Sequence, residues 1–406
     1  MRSGVDDFSF PARTDRLTVY RIQEPRLRTA SVCLSVAYGS RHDPVGYGGL
    51  AHLLEHLLMS APLDGGPSFC EHVERLGGHV NAETGLEQML FYAQVHADDV
   101  DETVEALCRA VRTPEWSADL LDRERAIVLE ELTGAAADPS DAVQDAILSA
   151  LFGGHPLGRP VGGSAAEVRA TSTEVLDAHH SSNFLGRPMA LVVVAPTLPD
   201  DKWTANHAVG LPPIVDDEQC VPLPPVAGQA PRWPDEYAWV CLGSRSPSRL
   251  DDRRHSYQLL ATLLGGSPAS LLFRRLRGEQ GLAYSFHAWD RGYTEAGALR
   301  LLVGVDKGNG DRVVTTVREV LTDIADGDLS DDDLQLARCQ AEMQVILDMD
   351  NPLALAKMVA TRTHAGTVGW SARSEAASLR ETPLGSVVTA AQDLLHNMVA
   401  VVRPEA

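Results

Sequence analysis

The stretch GGLAHLLEHLLMSA, residues 48–61, joins a leucine-rich helical pattern to three polar residues that packing alone does not need. At 100° per residue, His52, Glu55 and His56 project from one face of such a helix. The opposite face is made of leucines: Leu50, Leu53, Leu54, Leu57 and Leu58. The pattern predicts a helix that packs through one face and carries chemistry on the other.

The leucine pattern occurs a second time in the chain. HLLEHLLMSAP at residues 52–62 matches QLLATLLGGSP at residues 258–268. In the second copy Gln258, Ala261 and Thr262 replace the three polar residues, while the leucines keep their places. The leucines therefore account for packing in both copies, and the polar residues serve another purpose in the first.

Strand-like segments repeat in the same order as the helix. VCL occurs at 32 and 240, and ALVVVA at 190 corresponds to MVAVVRP at 398. The repeat predicts two homologous domains, residues 1–200 and 236–406, joined by a Pro-rich linker at 201–235.

Periodicity gives the fold class. Residues 17–38 and 79–95 alternate apolar and polar positions like two pairs of strands, residues 99–180 are mainly helical, and residues 190–195 resemble a buried strand. This mixture predicts an α+β protein in which each domain is a mostly antiparallel sheet packed with helices.

Composition narrows the class of partner. The 406 residues carry a formal net charge of -21 at pH 7, which disfavours nucleic acid and anionic membranes and favours neutral or basic peptides. No stretch approaches the roughly 18 apolar residues that span a bilayer, so we expect a soluble cytoplasmic protein. The six cysteines form no CxxC pair and predict reduced core thiols.

The polar face of the first helix has the pattern of a metal site. Histidines four residues apart on a helix stand one above the other, where both imidazoles can ligate one zinc ion, and Glu55 beside them can act on a water bound to the metal. A solvated face is the simpler interpretation of a lone histidine pair, whereas the ordered string H-x-x-E-H is typical of inverted zincins.

A third ligand is needed, and residues 119–132, DLLDRERAIVLEEL, supply candidates. On a helical wheel Glu124 and Glu131 fall within the apolar sector, whereas Glu130 points towards solvent. Carboxylates buried among leucines need a compensating cation or hydrogen bonds. The pattern predicts Glu131 as the third ligand and Glu124 as a supporting group, and an ordinary charged helix would explain only Glu130.

Several motifs together resemble the pitrilysin and insulinase group of zinc metallopeptidases, in the small two-domain branch similar to mitochondrial processing peptidase. They are GSRHD with GLAHLLEHLLM, LGGHVNAETGLEQMLFYA, DRERAIVLEEL, HPLGRPVGGS and FRRLRGEQGLAYSF. The resemblance implies that His52, His56 and Glu131 hold one zinc ion per chain, that Glu55 is the general base, and that Glu124 supports the site.

The resemblance also implies how substrate binds. The NAET motif, comprising Asn81, Ala82, Glu83 and Thr84, would lie on an edge strand to which a peptide adds as a further strand. Arg277 and Tyr284 would contact substrate, with Tyr284 donating a hydrogen bond to the tetrahedral intermediate. Met89 departs from the family, which commonly has a small hydroxylated residue there.

These observations predict a zinc metalloendopeptidase that hydrolyses short or unfolded peptides. Two alternatives stay open: a peptidase that removes a leader from one precursor, and a non-catalytic scaffold subunit of the same fold. Because larger family members use four such domains, the resemblance implies a homodimer, or a heterodimer with a related subunit, in which Arg277 and Tyr284 complete the partner's site.

Overall fold

The computed structural model describes residues 17–198, 220–226, 228, 230–283, 285–364 and 370–406. They divide into two compact units. The first unit takes the described residues within Met1–Leu132, Pro160–Glu218 and Leu347–Ser371, and the second takes those within Thr133–Arg159, Gln219–Ile346 and Ala372–Ala406. Each half of the chain thus contributes a segment to the unit built mainly from the other half. The domain boundaries at residues 200 and 236 stay a prediction, and much of the linker lies outside the described residues.

The first unit is built on a five-stranded sheet. Its strands are β1 (Leu17–Gln23), β2 (Thr29–Val36), β3 (His79–Thr84), β4 (Met89–His96) and β5 (Met189–Ala195). They lie in the order β1-β5-β2-β4-β3, with β1 and β5 parallel and the other neighbours antiparallel. Strand β3, which carries the NAET motif, is therefore an edge strand of this sheet.

Within the described residues, the second unit repeats this arrangement with one strand fewer. Its strands are β6 (Ala238–Ser246), β7 (Phe286–Gly292), β8 (Gly297–Val305) and β9 (Val399–Arg403). Their order, β7-β8-β6-β9, is fully antiparallel and matches β3-β4-β2-β5 of the first unit. The prediction of an α+β protein with two related domains is confirmed.

Helices cover both sheets. In the first half of the chain they are α1 (Leu50–Ser60), α2 (Phe69–Arg75), α3 (Val100–Arg112), α4 (Ala118–Ala137), α5 (Pro139–Phe152), α6 (Ala165–Ala170) and α7 (Thr173–His179). In the second half they are α8 (Arg254–Gly265), α9 (Gly310–Ala325), α10 (Asp331–Asp350), α11 (Pro352–His364), α12 (Ala372–Glu381) and α13 (Leu384–Asn397). Helix α5 packs against β6 and β9 of the second unit, whereas α11 packs against β2 and β5 of the first.

The leucine face of α1 lies in the core of the first unit. All five leucines of that face have no exposed surface. Burial of each side chain stabilises the fold by about 1.5–3 kcal/mol relative to exposure. His52, Glu55 and His56 are only partly buried, as the helical wheel predicts.

The cysteines follow the prediction only in part. Cys33, Cys108 and Cys241 are buried and free, but Cys220 and Cys339 are exposed, so the expectation of six core thiols was wrong for these two. Cys339 lies on an exposed position of α10, and Cys220 lies in an irregular segment. Among the described residues, no helix combines the length and apolar character that crossing a bilayer requires.

Candidate metal centre

Helix α1 begins at a buried carboxylate and a close backbone contact. The two oxygens of Asp43 accept hydrogen bonds from the main-chain N–H groups of Gly49, at 2.8 Å, and Ala51, at 2.9 Å. These N–H groups lack partners within the helix, and a carboxylate also stabilises the positive end of the helix dipole. Gly49 has φ +87°, and a Cβ there would lie 2.2 Å from the carbonyl oxygen of Gly162. The GSRHD motif therefore fixes where the histidine helix starts.

The second half of the HPLGRPVGGS motif packs against that start. A Cβ on Gly163, whose φ is +67°, would lie 2.1 Å from the main chain of Gly48. A Cβ on Gly162 would lie 2.6 Å from Cδ2 of Leu132, which neighbours Glu131 on α4. Glycine is required at Gly163, which faces backbone at a positive φ, and the loop contacts both helices that carry the predicted ligands.

The structure brings the three predicted ligands together. The Nε2 atom of His52 lies 3.6 Å from Oε2 of Glu131, and Nε2 of His56 lies 3.4 Å from the same oxygen. One donor atom from each residue falls within 4.8 Å of the other two. Ligands at about 2.0–2.2 Å in a tetrahedral zinc site lie about 3.3–3.5 Å from each other, so the two distances to Glu131 are close to those of a zinc site.

The surroundings of His52 favour the neutral imidazole over the protonated one. Burial lowers its pKa, and nearby His56 adds to that effect while Glu131 opposes it. Its Nδ1 is buried without a hydrogen-bond partner among the described residues. A neutral imidazole whose Nε2 faces the other ligands is the form that binds a metal.

Glu124 orients the second histidine. Its Oε2 lies 3.3 Å from Nδ1 of His56, and Glu124 is only 8% exposed. With the proton on Nδ1 donated to Glu124, the opposite nitrogen of His56 is left with its lone pair towards Glu131. A carboxylate behind a metal-binding histidine fixes both the tautomer and the ring orientation.

Glu55 lies beside the ligands and hydrogen-bonds to strand β3. The hydroxyl of Thr84 donates to Oε2 of Glu55. Burial raises the pKa of the Glu55 carboxyl, and the hydrogen bond from Thr84 opposes that rise. A carboxylate with a raised pKa is a stronger proton acceptor than one in water.

The predicted burial of Glu131 was wrong. The Glu131 side chain is 49% exposed, and Ile127, which the wheel places in the apolar sector, is 44% exposed. The wheel assumes that a helix contacts the core evenly along its length, whereas the side chains of α4 become more exposed after Val128. Glu131 thus approaches the histidines from the solvent side, and only Glu124 is buried.

The NAET motif forms most of β3. Ala82 and Thr84 are half-buried on the side that faces α1, whereas Asn81 and Glu83 are exposed on the other. Beyond β3 no further strand pairs among the described residues, so its outer main-chain groups are free for another chain. Met89 is fully buried in β4 and is the register partner of Thr84.

Of the two residues of the second unit that are predicted to contact substrate, the structure describes only Arg277. Arg277 is exposed in a π-helical segment, Phe273–Glu279, with its guanidinium 5.0 Å from the ring centre of Phe273. Tyr284 lies outside the described residues. The roles of both residues stay a prediction.

Two features of the site were missed by the sequence analysis. These are the hydrogen bond from Thr84 to Glu55 and the contact of Asp43 with the start of α1. An acidic residue shortly before a glycine-initiated helix is a capping signal that could have indicated the second. No comparable pattern indicates the first, because the two residues come from different elements.

Comparison with known proteins finds relatives that are similar to this chain in sequence and others that are similar in fold. Residues 18–165 match the family Insulinase (Peptidase family M16), and residues 174–340 match the Peptidase M16 inactive domain. An uncharacterized zinc protease of Mycobacterium leprae is 30% identical over 339 residues, which cover 80% of this chain and 76% of that protein.

Solved structures resemble the chain over almost its whole length. A peptidase M16 inactive domain protein from Pseudomonas fluorescens has a TM-score of 0.83 at 16% identity, with 96% of each chain covered. A protease from Helicobacter pylori has a TM-score of 0.81 at 17% identity, covering 95% of this chain and 96% of that one. The structures show the shared fold, and the sequence matches show that the chain belongs to peptidase family M16, in its two-domain form.

Proposed function

We propose that the protein is a zinc metalloendopeptidase that hydrolyses short or unfolded peptides. The observation that carries this proposal is the convergence of His52, His56 and Glu131 beside Glu55, next to a sheet edge that no described strand covers. Membership of a peptidase family and the zinc protease name of a relative support it.

The residues of the site divide the work between them. A zinc ion held by His52, His56 and Glu131 would supply a Lewis acid that polarises the peptide carbonyl and lowers the pKa of water. Glu55 takes the proton of the attacking water and returns it to the leaving amine. Glu124 keeps the ring of His56 in the orientation that binding requires.

Strand β3 binds the substrate main chain. A peptide that adds to the free edge of β3 is held mainly by backbone hydrogen bonds, which are largely independent of side-chain identity. This suits a peptidase with several substrates. Arg277 and Tyr284 contact the same peptide in this proposal, and a second copy of the chain contributes them.

The test is cleavage of a mixed peptide library by the zinc-loaded protein, with cut sites mapped by mass spectrometry. We expect about one zinc ion per chain and scattered cuts in unstructured peptides. Glu55→Gln should retain zinc and lose cleavage by about 10²–10⁴-fold, because proton transfer by a positioned base contributes that much. Cleavage by this variant at the normal rate would contradict the role of Glu55.

The same experiment separates the alternatives. Cuts at one site of one precursor would indicate a maturation peptidase, and absence of both zinc and cleavage would indicate a scaffold subunit. Light scattering during size exclusion tests the proposed homodimer, and a monomer that cleaves at full rate would contradict a contribution of Arg277 and Tyr284 from a second copy.

A further inference from the structure

Strand β3 connects the proposed base to the sheet edge where a peptide would bind. The hydroxyl of Thr84 donates its hydrogen bond to Oε2 of Glu55. Among the described residues, no other side chain hydrogen-bonds the Glu55 carboxylate. The orientation of the carboxylate therefore depends on a residue of the strand rather than on a residue of its own helix.

The opposite face of β3 is held by an ion pair. Lys357 of α11 forms a salt bridge with Oε1 of Glu83, and the hydroxyl of Tyr92 donates to the same oxygen at 2.8 Å. The ammonium of Lys357 also lies 4.4 Å from the centre of the Tyr92 ring. Because neighbouring residues of a strand point to opposite faces, the pairing of β3 with β4 that turns Glu83 towards Lys357 turns Thr84 to the other side.

A second contact holds the turn after the strand. The side-chain amide of Gln88 donates to the hydroxyl of Thr361 at 3.2 Å. Thr361 and Lys357 lie one turn apart on α11, which packs against β2 and β5 of the same unit. Thr84 thus lies between two points at which one helix holds the strand and the turn that follows it.

We propose that Thr84 is a positioning residue that sets the carboxylate of Glu55, so that β3 fixes both the base and the peptide. The proposal rests on the proposed function. A peptide paired with β3 takes its register from the main chain of the strand. Because the side chain of the same strand orients Glu55, the distance between the base and the scissile bond is set within one element.

The arrangement predicts a loss in the chemical step and not in peptide binding. The hydroxyl of Thr84 points away from the main-chain groups to which a peptide pairs. Removing it frees the Glu55 carboxylate to rotate, and misplacing a catalytic group by about 1 Å can cost about 10²-fold in rate. Edge pairing of the peptide stays intact.

The first test compares Thr84→Val, which keeps the shape and removes the hydroxyl, with Thr84→Ser, which retains the hydroxyl. We expect kcat to fall about 10–100-fold in Thr84→Val, with KM within about twofold and zinc content unchanged, and to recover in Thr84→Ser. Thr18→Val in β1, at the other edge of the same sheet, is the matched control and should leave kcat unchanged. An unchanged kcat in Thr84→Val, or a loss that appears mainly in KM, overturns the proposal.

The second test does not depend on peptidase activity. Thermal unfolding of the zinc-loaded chain is measured for Thr84→Val, Glu55→Ala and the double variant. If the two side chains bond, the double variant should unfold near the temperature of the less stable single variant, because the interaction is lost only once. Additive shifts in Tm overturn the contact. If the wild-type protein cleaves no peptide but the Tm shifts are non-additive, the contact between Thr84 and Glu55 is supported and the proposed function fails instead.

Discussion

Helices α1 and α8 occupy the same place in the two related units and differ in what they carry. Four leucines of α1, at 53, 54, 57 and 58, match four leucines of α8, and all eight are buried: Leu53, Leu54, Leu57, Leu58, Leu259, Leu260, Leu263 and Leu264. Apolar packing alone is therefore enough to build this helix into the fold.

Helix α8 shows which residues occupy these positions where no metal ligands are present. Thr262, in the place of His56, donates its hydroxyl to the carbonyl oxygen of Gln258 at 3.0 Å, and Gln258 stands in the place of His52. Ala261, in the place of Glu55, is buried. The hydroxyl of α8 is satisfied within the helix, whereas the histidines of α1 turn towards a second helix.

That second helix shows the same contrast. Helices α4 and α10 both have 20 residues, and aligned from their first residues they share three of their four buried positions, one of which is occupied by Val128 and Ala341. In this alignment Glu124 and Glu131 correspond to Ala337 and Gln344. The second unit thus has no histidine or carboxylate at these positions of the two helices and keeps most of the packing, so the candidate metal ligands are not needed to build the fold.

The largest effect on zinc affinity is expected for Glu131→Gln. A neutral amide is a much poorer zinc ligand than a carboxylate, so affinity should fall by more than the roughly 100-fold that outer groups of zinc sites reach. Since Glu131 is half-exposed, the fold should be retained. Glu130→Gln, one residue away on the same helix, is the control. Zinc titration with a competing chelator measures both, and equal affinities would remove Glu131 from the site.

A smaller loss is expected for Glu124→Ala, which copies the residue of the second unit. Zinc affinity should fall about 10–100-fold because His56 loses the group that orients it. Because α10 packs with Ala337 at the same position, Tm of the metal-free protein should change by less than about 4 °C. A large drop in Tm with unchanged zinc affinity would mean that Glu124 serves the fold rather than the metal.

Features that depend on residues close together in sequence, or that occur in both halves of the chain, could be predicted from the sequence. The helical and strand periodicities, together with the internal repeat of the sequence, located α1, its leucine face and the paired strands. The string H-x-x-E-H lies on one helix, so the separation of His52 and His56 follows from helical geometry alone. The structure also places Glu131 against them, although the expectation of its burial was wrong.

Contacts between distant segments could not be predicted in this way. The exchange of α5 and α11 between units depends on which sheet each helix covers, and a helical pattern does not specify its partner. The bonds of Thr84 to Glu55 and of Lys357 to Glu83 join residues far apart in sequence. Such pairs leave no periodic pattern because either partner is acceptable on its own as a surface residue.

The two units also differ in what holds the start of the compared helices. Gly163 contacts the main chain of Gly48 just before α1, whereas Arg254 at the start of α8 forms two hydrogen bonds, at 2.5 and 2.7 Å, with the buried Glu375 of α12. The first is a steric contact between backbones. The second is an ion pair with little exposure.

Substitutions at these two places should therefore separate stability from zinc binding. Gly163→Ala forces a strained φ and an overlap with backbone, so we expect about 2–5 kcal/mol of destabilisation together with a several-fold loss of zinc affinity. Glu375→Ala leaves the largely buried guanidinium of Arg254 without this carboxylate and should cost about 3 kcal/mol with zinc affinity unchanged. Gly154→Ala, where a Cβ meets nothing within 4 Å, is the control. Denaturant unfolding and zinc titration measure both quantities, and equal loss of zinc affinity in the two variants would contradict the separation.

The smallest effect at neutral pH is expected at His42, in the turn before α1, which has no histidine counterpart in the turn before α8. Burial lowers the pKa of His42 to about 3, with Arg187 and Arg41 contributing, and its Nδ1 accepts a hydrogen bond from the N–H of Gly39 at 3.0 Å. In the unfolded chain the pKa of a histidine is about 6.5.

Between these two values the unfolded chain binds a proton that the folded protein does not. The free energy of unfolding should therefore be unaffected by His42 above about pH 6.5 and should fall as the pH drops from about 6.5 towards 3. We expect the fall in Tm between about pH 6.5 and 4.5, measured after chelation so that zinc release does not contribute, to be smaller in His42→Gln than in the normal protein. His79→Gln, at an exposed position, is the control and should keep the full fall. If His42→Gln kept it as well, the acid sensitivity would come from other buried histidines of this unit, such as His179, whose pKa burial lowers to about 4.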